Sequence, residues 1–311
     1  MKPRDSRAVA SSSSQMQESD AANEPLAGAR ADLEKNISSE EDTEFSPEEL
    51  KSVIANLEKD IADGRWVDTN YARIDLRMMP ALVEQANEKY PDVNLRLANN
   101  PHHLAFLMEK AIDYKVQSSR FIVSSRDRGI HFAVIDYRAL DEQNSFILFE
   151  PTTFHGVQQD MLRMRTLMAV KSRGLPNCHF SMVEMDIQRS SSECGIFSLA
   201  LAKKLYTESE RLRKMHEDNV RDILCEPDTP LPSHKLDQYL PVTFYKHTQG
   251  KGRLEKYIES NPSAVGEKVN KKDETVFERY DKNLVATKEE KAVSVSSHKK
   301  RIREYKSVLT L

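Results

Sequence analysis

The chain has 311 residues, of which 39% are hydrophobic and 31% charged, and its formal net charge is −3. This balance predicts a soluble protein with a modest core, and no stretch approaches the roughly 20 apolar residues of a membrane span. The three cysteines, Cys178, Cys194 and Cys225, form no CxxC pair. Their odd number and spacing argue against a disulfide framework or a structural zinc site.

The N-terminal residues 1–45 are rich in Ser, Ala, Glu and Asp, and residues 1–50 hold 12 acidic against 5 basic side chains. Such a composition buries too little apolar surface to order itself, so a disordered tail is predicted. The tail also lacks the apolar core of a cleaved secretory signal.

The first predicted helix begins after Ser46, where Pro47 and Glu49 complete a capping box. It ends at Gly64, and its apolar face consists of Leu50, Val53, Ile54, Leu57 and Ile61. Further helices are predicted over residues 79–89, 101–114, 158–171 and 208–224. Short strands are predicted over residues 93–97, 120–124 and 179–185.

A β-hairpin is predicted in the middle of the chain. Residues 130–138 and 144–150 are β-branched and aromatic, which favours strands, and residues 139–143 have the length of a hairpin loop. Folding about the midpoint between Leu140 and Asp141 places His131 opposite Glu150, roughly 5 Å apart at Cβ. A slip of one residue would turn the two side chains to opposite faces.

The hairpin strands carry apolar residues on both faces, so the sheet is expected to be covered on both sides. Together with the helices, this pattern predicts a mixed α+β or α/β fold. Helices would pack around a small sheet.

Cys194 stands where a small polar loop, residues 188–193, meets an alanine- and leucine-rich stretch that predicts a buried helix. A helix N-terminus favours the thiolate, which is the nucleophilic form. A packed core cysteine is the alternative interpretation. His131 as base and Glu150 as its orienting group would complete a catalytic set. Gln188 and the Cys194 N–H are candidate oxyanion donors, although Gln188 alone also fits a solvated loop residue.

The C-terminal part of the chain is basic, with 16 basic and 10 acidic side chains from Lys246 onward. Residues 245–253 place three cations and a hydroxyl near two glycines, an arrangement suited to phosphates. A solvated basic face is the alternative. Nucleic-acid binding is a weaker interpretation because no known motif is present. A metal site is not expected at His102, His103 or His155, which lack ligands at suitable spacing.

The order His131, Glu150, Gln188, Cys194 resembles the ubiquitin-like-protease clan of cysteine peptidases. More narrowly, HFAVIDYR, FILFEP and DIQRSSSECGIFSLALAKKL resemble the YopJ family of type III secretion effectors, in its animal-pathogen branch. The likeness runs from about residue 46 to the C-terminus and includes LPVTFYKHTQGKGRLEKYIESNP and VNKKDETVFERYD.

The resemblance implies a division of the chain into four parts. Residues 1–45 would be the export segment of a protein secreted by a type III system. Residues 46–115 would form a helical segment flanking the core, 116–225 a ubiquitin-like-protease-type catalytic core, and 226–311 a basic regulatory segment.

The resemblance also implies a function. Acetyl would pass from acetyl-coenzyme A through Cys194 to Ser, Thr or Lys of host signalling proteins in the host cytoplasm, with MAP kinase kinases as expected partners. Inositol hexakisphosphate (IP6) would be the activator. Lys246 matches a family position associated with polyphosphate binding and self-acetylation, and Arg189 a position that meets coenzyme A phosphates. Further expected polyphosphate ligands are His247, Lys251, Arg253, Arg73 and Arg77.

Two other functions compete with acetyl transfer. The same constellation serves a peptidase or isopeptidase acting on ubiquitin-like tails, although SUMO-type proteases usually carry Trp where this chain has Phe132. A binding module that only sequesters kinases is disfavoured because every catalytic position is filled.

Overall fold

The computed structural model describes residues 44–67, 69–286 and 292–310. The chain divides into two units at residues 43 and 44, and the fold described below is that of the second unit. The predicted disordered export tail therefore lies, except for its last two residues, outside the described residues.

The centre of the fold is a five-stranded sheet with the strands in chain order. The outer pairs β1–β2 and β4–β5 are parallel, and β2, β3 and β4 are joined antiparallel. The strands are β1 Leu95–Ala98, β2 Ser118–Ser124, β3 Phe132–Leu140, β4 Gln143–Glu150 and β5 Cys178–Glu184. A separate two-stranded hairpin consists of β6 Leu284–Ala286 and β7 Ala292–Ser294.

The helices of the described residues surround this sheet. They are α1 Pro47–Ala62, α2 Ala72–Lys89, α3 Pro101–Asp113, α4 Val157–Arg173, α5 Cys194–Thr207, α6 Arg213–Val220, α7 Ser233–Leu236, α8 Lys251–Ser260, α9 Val276–Lys282 and α10 Ser296–Val308. Short 3₁₀ turns occupy Arg65–Val67, Pro91–Val93, Ser209–Leu212, Val242–Tyr245 and Pro262–Gly266.

Each face of the sheet is buried in its own apolar core. On one face, residues such as Val134 and Phe149 pack in a core that includes side chains of α2, α5 and α10. On the other face, residues such as Ile135 and Leu148 pack with side chains of α3 and α4. Burying one such side chain contributes about 1.5–3 kcal/mol. The predicted α+β fold with a small sheet covered on both sides is confirmed.

The start and end of α1 follow the sequence prediction. The Ser46 hydroxyl accepts from the Glu49 N–H at 3.2 Å, and the Glu49 carboxylate accepts from the Ser46 N–H at 2.8 Å. Gly64, just beyond the helix, has φ +69°, a conformation that glycine adopts without a Cβ penalty. The predicted capping box and stop are therefore confirmed.

Two predicted helices differ in extent. α2 begins at Ala72 and not at residue 79, because Pro80 is accommodated inside the helix and does not open it. The predicted helix over 208–224 is a 3₁₀ turn followed by α6, which ends at Val220. The ends of the other predicted elements differ from those observed by one or two residues.

The predicted hairpin register is wrong by two residues. Leu140 pairs with Gln143, so the turn contains only two residues and is shorter than the predicted loop. His131 precedes β3 and is not directly opposite Glu150. A slip of two residues keeps side chains on the same face of the sheet, whereas a slip of one would not.

Candidate active site

His131 and Glu150 are in contact despite the register error. His131 Nε2 lies 2.9 Å from Glu150 Oε2, and both side chains are buried. Long side chains at diagonal positions on one face of a hairpin are within reach of each other. The other carboxylate oxygen of Glu150 accepts from the Thr152 N–H at 3.0 Å and from the Thr152 hydroxyl at 2.7 Å. Thr152 therefore fixes the carboxylate that orients the imidazole.

The charge of His131 is stabilised in this setting. Burial alone lowers its pKa, but the Glu150 carboxylate and the Cys194 side chain outweigh burial and raise the pKa to about 10. A protonated imidazole donates from both ring nitrogens. Because Nε2 is bound to Glu150, Nδ1 is the ring nitrogen that remains available for a hydrogen bond with Cys194.

Cys194 is the first residue of α5 and is buried. Its Sγ lies 3.2 Å from the carbonyl oxygen of Ile130, the residue before His131, and Cys194 is among the groups that raise the pKa of His131. The first N–H groups of a helix have no intrahelical acceptor, so they are available to a ligand. A Cβ on Gly195 would lie 3.0 Å from the Cβ of Asp75. Glycine therefore allows α5 to begin close against α2.

Gln188 lies in the loop that leads to Cys194 and is buried. Its backbone N–H donates to the Pro151 carbonyl at 3.2 Å, which places the residue beside the segment that follows Glu150. The side-chain amide donates to the Ser190 carbonyl at 2.6 Å. An amide nitrogen carries two hydrogens, so one remains for an oxyanion. Among the described residues, Gln188 Oε1 has no hydrogen-bond partner.

Arg189, the predicted coenzyme A contact, has a side chain that is 39% exposed. Its guanidinium donates to Asp186 Oδ1 at 2.7 Å and to the carbonyls of Asp186 and Gln188. The guanidinium is thus held at the surface of the loop that precedes Cys194. Its predicted contact with coenzyme A phosphates stays a prediction.

Lys246 belongs to a group of cations drawn from separate elements. We call this group the basic cluster; it consists of Lys204, Lys246, Arg279, Lys300 and Arg303. Burial, and then the charge of the four other cations, lower the pKa of Lys246 to about 8. Within the described part of the chain, no carboxylate lies within ion-pair distance of Lys246.

His247, another predicted polyphosphate ligand, is buried next to the basic cluster. Its Nδ1 lies 2.8 Å from the Ser296 hydroxyl, which accepts from Arg279 at 2.9 Å. In the tautomer in which the Ser296 hydroxyl donates to Nδ1, Nε2 carries the ring hydrogen. Nε2 has no partner among the described residues. Burial and the neighbouring cations hold the pKa of His247 well below its ordinary value.

Arg253 has a structural environment that was not anticipated. Its buried guanidinium binds Asp237 through two hydrogen bonds of 2.9 and 2.5 Å, and its Nε donates to the Met185 carbonyl. These contacts use its donors inside the protein. This buried pairing argues against the expected polyphosphate role of Arg253, and that role stays a prediction.

The remaining predicted ligands lie on helix surfaces. Lys251 is exposed, 4.0 Å from Glu255, and Arg73 is exposed on α2. Arg77 donates to the Glu44 carbonyl at 3.2 Å, and its guanidinium lies 3.7 Å from the centre of the Phe45 ring. Their polyphosphate roles stay predictions.

Four residues of the basic cluster were missed from the sequence. Lys204 lies on α5 and Arg279 on α9, far from Lys246 along the chain. Lys300 and Arg303 are three residues apart on α10, a spacing that places both on one helix face. That spacing, together with the basic C-terminal composition, was the available signal for this pair.

The described residues contain no group of three or more His, Cys, Asp or Glu side chains arranged to hold a metal ion. No helix among them has the length and apolar character needed to cross a membrane.

A buried cysteine at a helix N-terminus, beside a carboxylate-bound histidine, is the arrangement used by enzymes with a cysteine nucleophile. The family model of the YopJ serine/threonine acetyltransferases matches residues 50–307. The serine/threonine-protein acetyltransferases YopJ of Yersinia pestis and Yersinia pseudotuberculosis are each 56% identical over 265 residues, which is 85% of this chain and 92% of theirs. The chain therefore belongs to the YopJ family and is a YopJ-type serine/threonine acetyltransferase.

Solved structures give the same fold. AvrA delL154 with IP6 and CoA superposes with a TM-score of 0.82 and 50% identity, covering 86% of this chain and 99% of that one. HopZ1a in complex with IP6 and CoA superposes with a TM-score of 0.65 over 78% of this chain and 87% of its own. At 19% identity the second match shows the fold alone.

Proposed function

We propose that the protein moves acetyl from acetyl-coenzyme A, through a thioester on Cys194, to Ser or Thr hydroxyls of host signalling proteins. Lys amines are a second acceptor class. IP6 is the activator, and the site of action is the host cytoplasm after type III secretion. The observation that carries this proposal is the pairing of His131 with Glu150, beside a buried Cys194 at the start of α5, in a member of this family.

In the first half-reaction, the thiol proton already resides on His131, whose raised pKa holds it there. The Cys194 thiolate attacks the thioester carbonyl carbon. The resulting oxyanion accepts hydrogen bonds from the free Gln188 amide hydrogen and from the Cys194 N–H. Collapse of the tetrahedral intermediate breaks the bond to the coenzyme sulfur. That sulfur leaves with the proton from His131, and acetyl-Cys194 remains.

In the second half-reaction, the acceptor hydroxyl attacks the acetyl carbonyl carbon while His131 takes its proton. The Cys194 sulfur is the leaving group, and it regains the proton from His131. Glu150 stabilises the imidazolium formed in both steps. The same base thus serves two successive nucleophiles, which defines a ping-pong mechanism.

The proposed binding of coenzyme A is supported by AvrA, which is 50% identical and was solved with CoA. Arg189 is the side chain we assign to its phosphates. The guanidinium is partly exposed on the loop before Cys194 and has a single carboxylate partner, Asp186. Arginine binds phosphate oxygens through paired N–H donors.

The proposed IP6 site is the basic cluster with His247. Burial and repulsion by neighbouring cations lower the pKa of Lys246, so a polyanion there would relieve an electrostatic cost. The unpartnered Nε2 of His247 would supply a hydrogen-bond donor. AvrA, which is 50% identical and was solved with IP6, supports IP6 as the ligand. The identity of the acceptor, a MAP kinase kinase, rests on the family resemblance.

The test is incubation with radiolabelled acetyl-coenzyme A and a purified MAP kinase kinase, with and without IP6. We expect label on the kinase only with IP6, and none with Cys194→Ala. Cys178→Ala is the matched control and should retain the wild-type rate. Absence of label under every condition, together with cleavage of a ubiquitin-like substrate, would favour the peptidase function and refute acetyl transfer.

A further inference from the structure

Gln249 lies between the basic cluster and the loop that precedes Cys194. It follows Lys246 by three residues and its side chain is fully buried. Its backbone N–H donates to the Ile187 carbonyl at 2.9 Å, and its carbonyl accepts from the Ser294 N–H at 3.2 Å. The residue is therefore fixed to β7 on one side and to the start of the 188–193 loop on the other.

The Gln249 side chain binds both ends of this loop. Its amide oxygen accepts from the N–H groups of Arg189 and Ser190, at 2.5 and 2.9 Å. Its amide nitrogen donates to the Glu193 carboxylate and, at 3.1 Å, to the Ser190 hydroxyl. Of the side chains of this length, only an amide offers an acceptor and two donors together.

The far end of the loop is held by α10. Glu193, directly before Cys194, accepts from the Ser297 hydroxyl at 2.6 Å and from Arg301 at 3.4 Å. Arg301 also donates to the Ser192 carbonyl at 2.9 Å and binds the Asp75 carboxylate through two bonds. These groups are all buried, so the loop has little freedom to shift.

The loop carries the two proposed oxyanion donors, the Gln188 amide and the Cys194 N–H. Such donors contribute to catalysis only when they are held within about 0.5 Å of the productive position. We propose that Gln249 is a positioning residue, which fixes the 188–193 loop and thereby aligns these donors. The kinetic part of this inference rests on the proposed acetyl transfer, whereas the effect on loop order does not.

The test compares Gln249→Ala with Gln238→Ala, a matched control at an exposed position. Hydrogen-exchange mass spectrometry on peptides spanning residues 187–194 reports loop order. Steady-state kinetics with acetyl-coenzyme A give kcat and KM, and calorimetry gives the affinity for IP6.

In Gln249→Ala we expect exchange in these peptides to accelerate by about tenfold or more, since two backbone hydrogen bonds are lost. We expect kcat to fall by about 10–100-fold, with KM and IP6 affinity changed by less than about threefold. The control should match wild type. If the alanine variant does not fold, Gln249→Glu decides, because it keeps the shape and the acceptor but removes the donors to Glu193.

The inference would be overturned if the 187–194 peptides of Gln249→Ala exchanged at the wild-type rate. It would also be overturned if kcat of this variant stayed within about twofold of wild type. Loss of IP6 binding in step with kcat would also overturn it, because that result would place Gln249 in the anion site. Failure of the wild-type protein to transfer acetyl would refute the proposed function alone. The exchange experiment would then still decide whether Gln249 orders the loop.

Discussion

The pKa of a buried cation is shifted in opposite directions in the candidate active site and in the basic cluster. In the active site, His131 faces the Glu150 carboxylate, and its pKa is raised to about 10 despite burial. In the basic cluster, Lys246 faces four other cations, and its pKa is lowered to about 8 by burial and then by their charge.

The difference lies in the counter-charge. Among the described residues, the candidate active site contains a carboxylate for His131, whereas the basic cluster contains none for Lys246. The His131 charge is compensated by Glu150, which is itself held by Thr152. Three of the cations around Lys246, namely Lys204, Arg279 and Lys300, pair with Glu208, Glu274 and Glu304, whereas Lys246 has no such partner among the described residues. An anion that binds the folded protein beside Lys246 would stabilise it by mass action. Under the proposed function, a catalytic group assembled within the chain would still depend on a separate anion at the basic cluster.

The largest effect is expected at the base of the proposed mechanism. His131→Asn removes the group that moves both protons, so kcat/KM for acetyl transfer should fall by about 10³-fold or more. His234→Asn, exposed on α7, is the control and should retain wild-type rates. A loss smaller than about tenfold would contradict the proposed role of His131.

Arg253 provides a third case, a buried cation that is fully paired. Arg253→Ala leaves the Asp237 carboxylate buried without its partner, so the free energy of unfolding should fall by about 3–5 kcal/mol. Lys251→Ala, two residues earlier and exposed, should change it by less than about 0.5 kcal/mol. Denaturant unfolding measures both. A stable Arg253→Ala protein that no longer binds IP6 would instead support the expected role of Arg253 as a polyphosphate ligand.

Glu150→Gln tests the compensated charge through the pH dependence of stability. The folded-state pKa of His131 is raised to about 10. The stabilisation of the folded state by the charged His131 is therefore fully present below about pH 6.5 and is lost as pH rises toward 10. Glu150→Gln should therefore lower the free energy of unfolding by about 2–4 kcal/mol at pH 6. The difference should shrink by pH 10, and a pH-independent difference would argue against this pairing.

Lys246→Met removes the cation that has no carboxylate partner among the described residues. It should raise the free energy of unfolding, whereas Glu150→Gln should lower it. The lowered folded-state pKa of Lys246 costs stability below about pH 8, and the cost shrinks as pH rises toward 10.5. Without IP6 the variant should be more stable than wild type by about 1–2 kcal/mol at pH 7. Lys272→Met, at an exposed position, is the control. Destabilisation by Lys246→Met would show that the charge is compensated within the chain.

The local features of the fold were readable from the sequence because their signals are local. The Ser46 capping box and the helix that begins at Cys194 depend on neighbouring residues, and both are present. The hairpin register was not readable. Both faces of β3 and β4 are apolar, so the pattern does not select one register. The two-residue turn, with Asp141 at φ +52°, sets it.

The candidate site, like the fold, was predictable only in part. His131, Glu150 and Cys194 were proposed as one set. The structure pairs His131 with Glu150 and places Cys194 Sγ 3.2 Å from the carbonyl oxygen of the residue before His131, while their catalytic roles stay a prediction. The environment of Arg253 was not predictable, because its partner Asp237 is recognisable only once α8 is packed. The basic cluster and the contacts of Gln249 likewise join segments that are far apart in the chain.

The most direct test of the central claim is detection of the acetyl group on Cys194. The protein is mixed with acetyl-coenzyme A, with and without IP6 and without an acceptor protein, then quenched in acid and digested for mass spectrometry. We predict one acetyl group on the peptide that contains Cys194, formed with IP6 and removed by hydroxylamine. Acetylation of an acceptor by a Cys194→Ala protein would contradict transfer through this thiol.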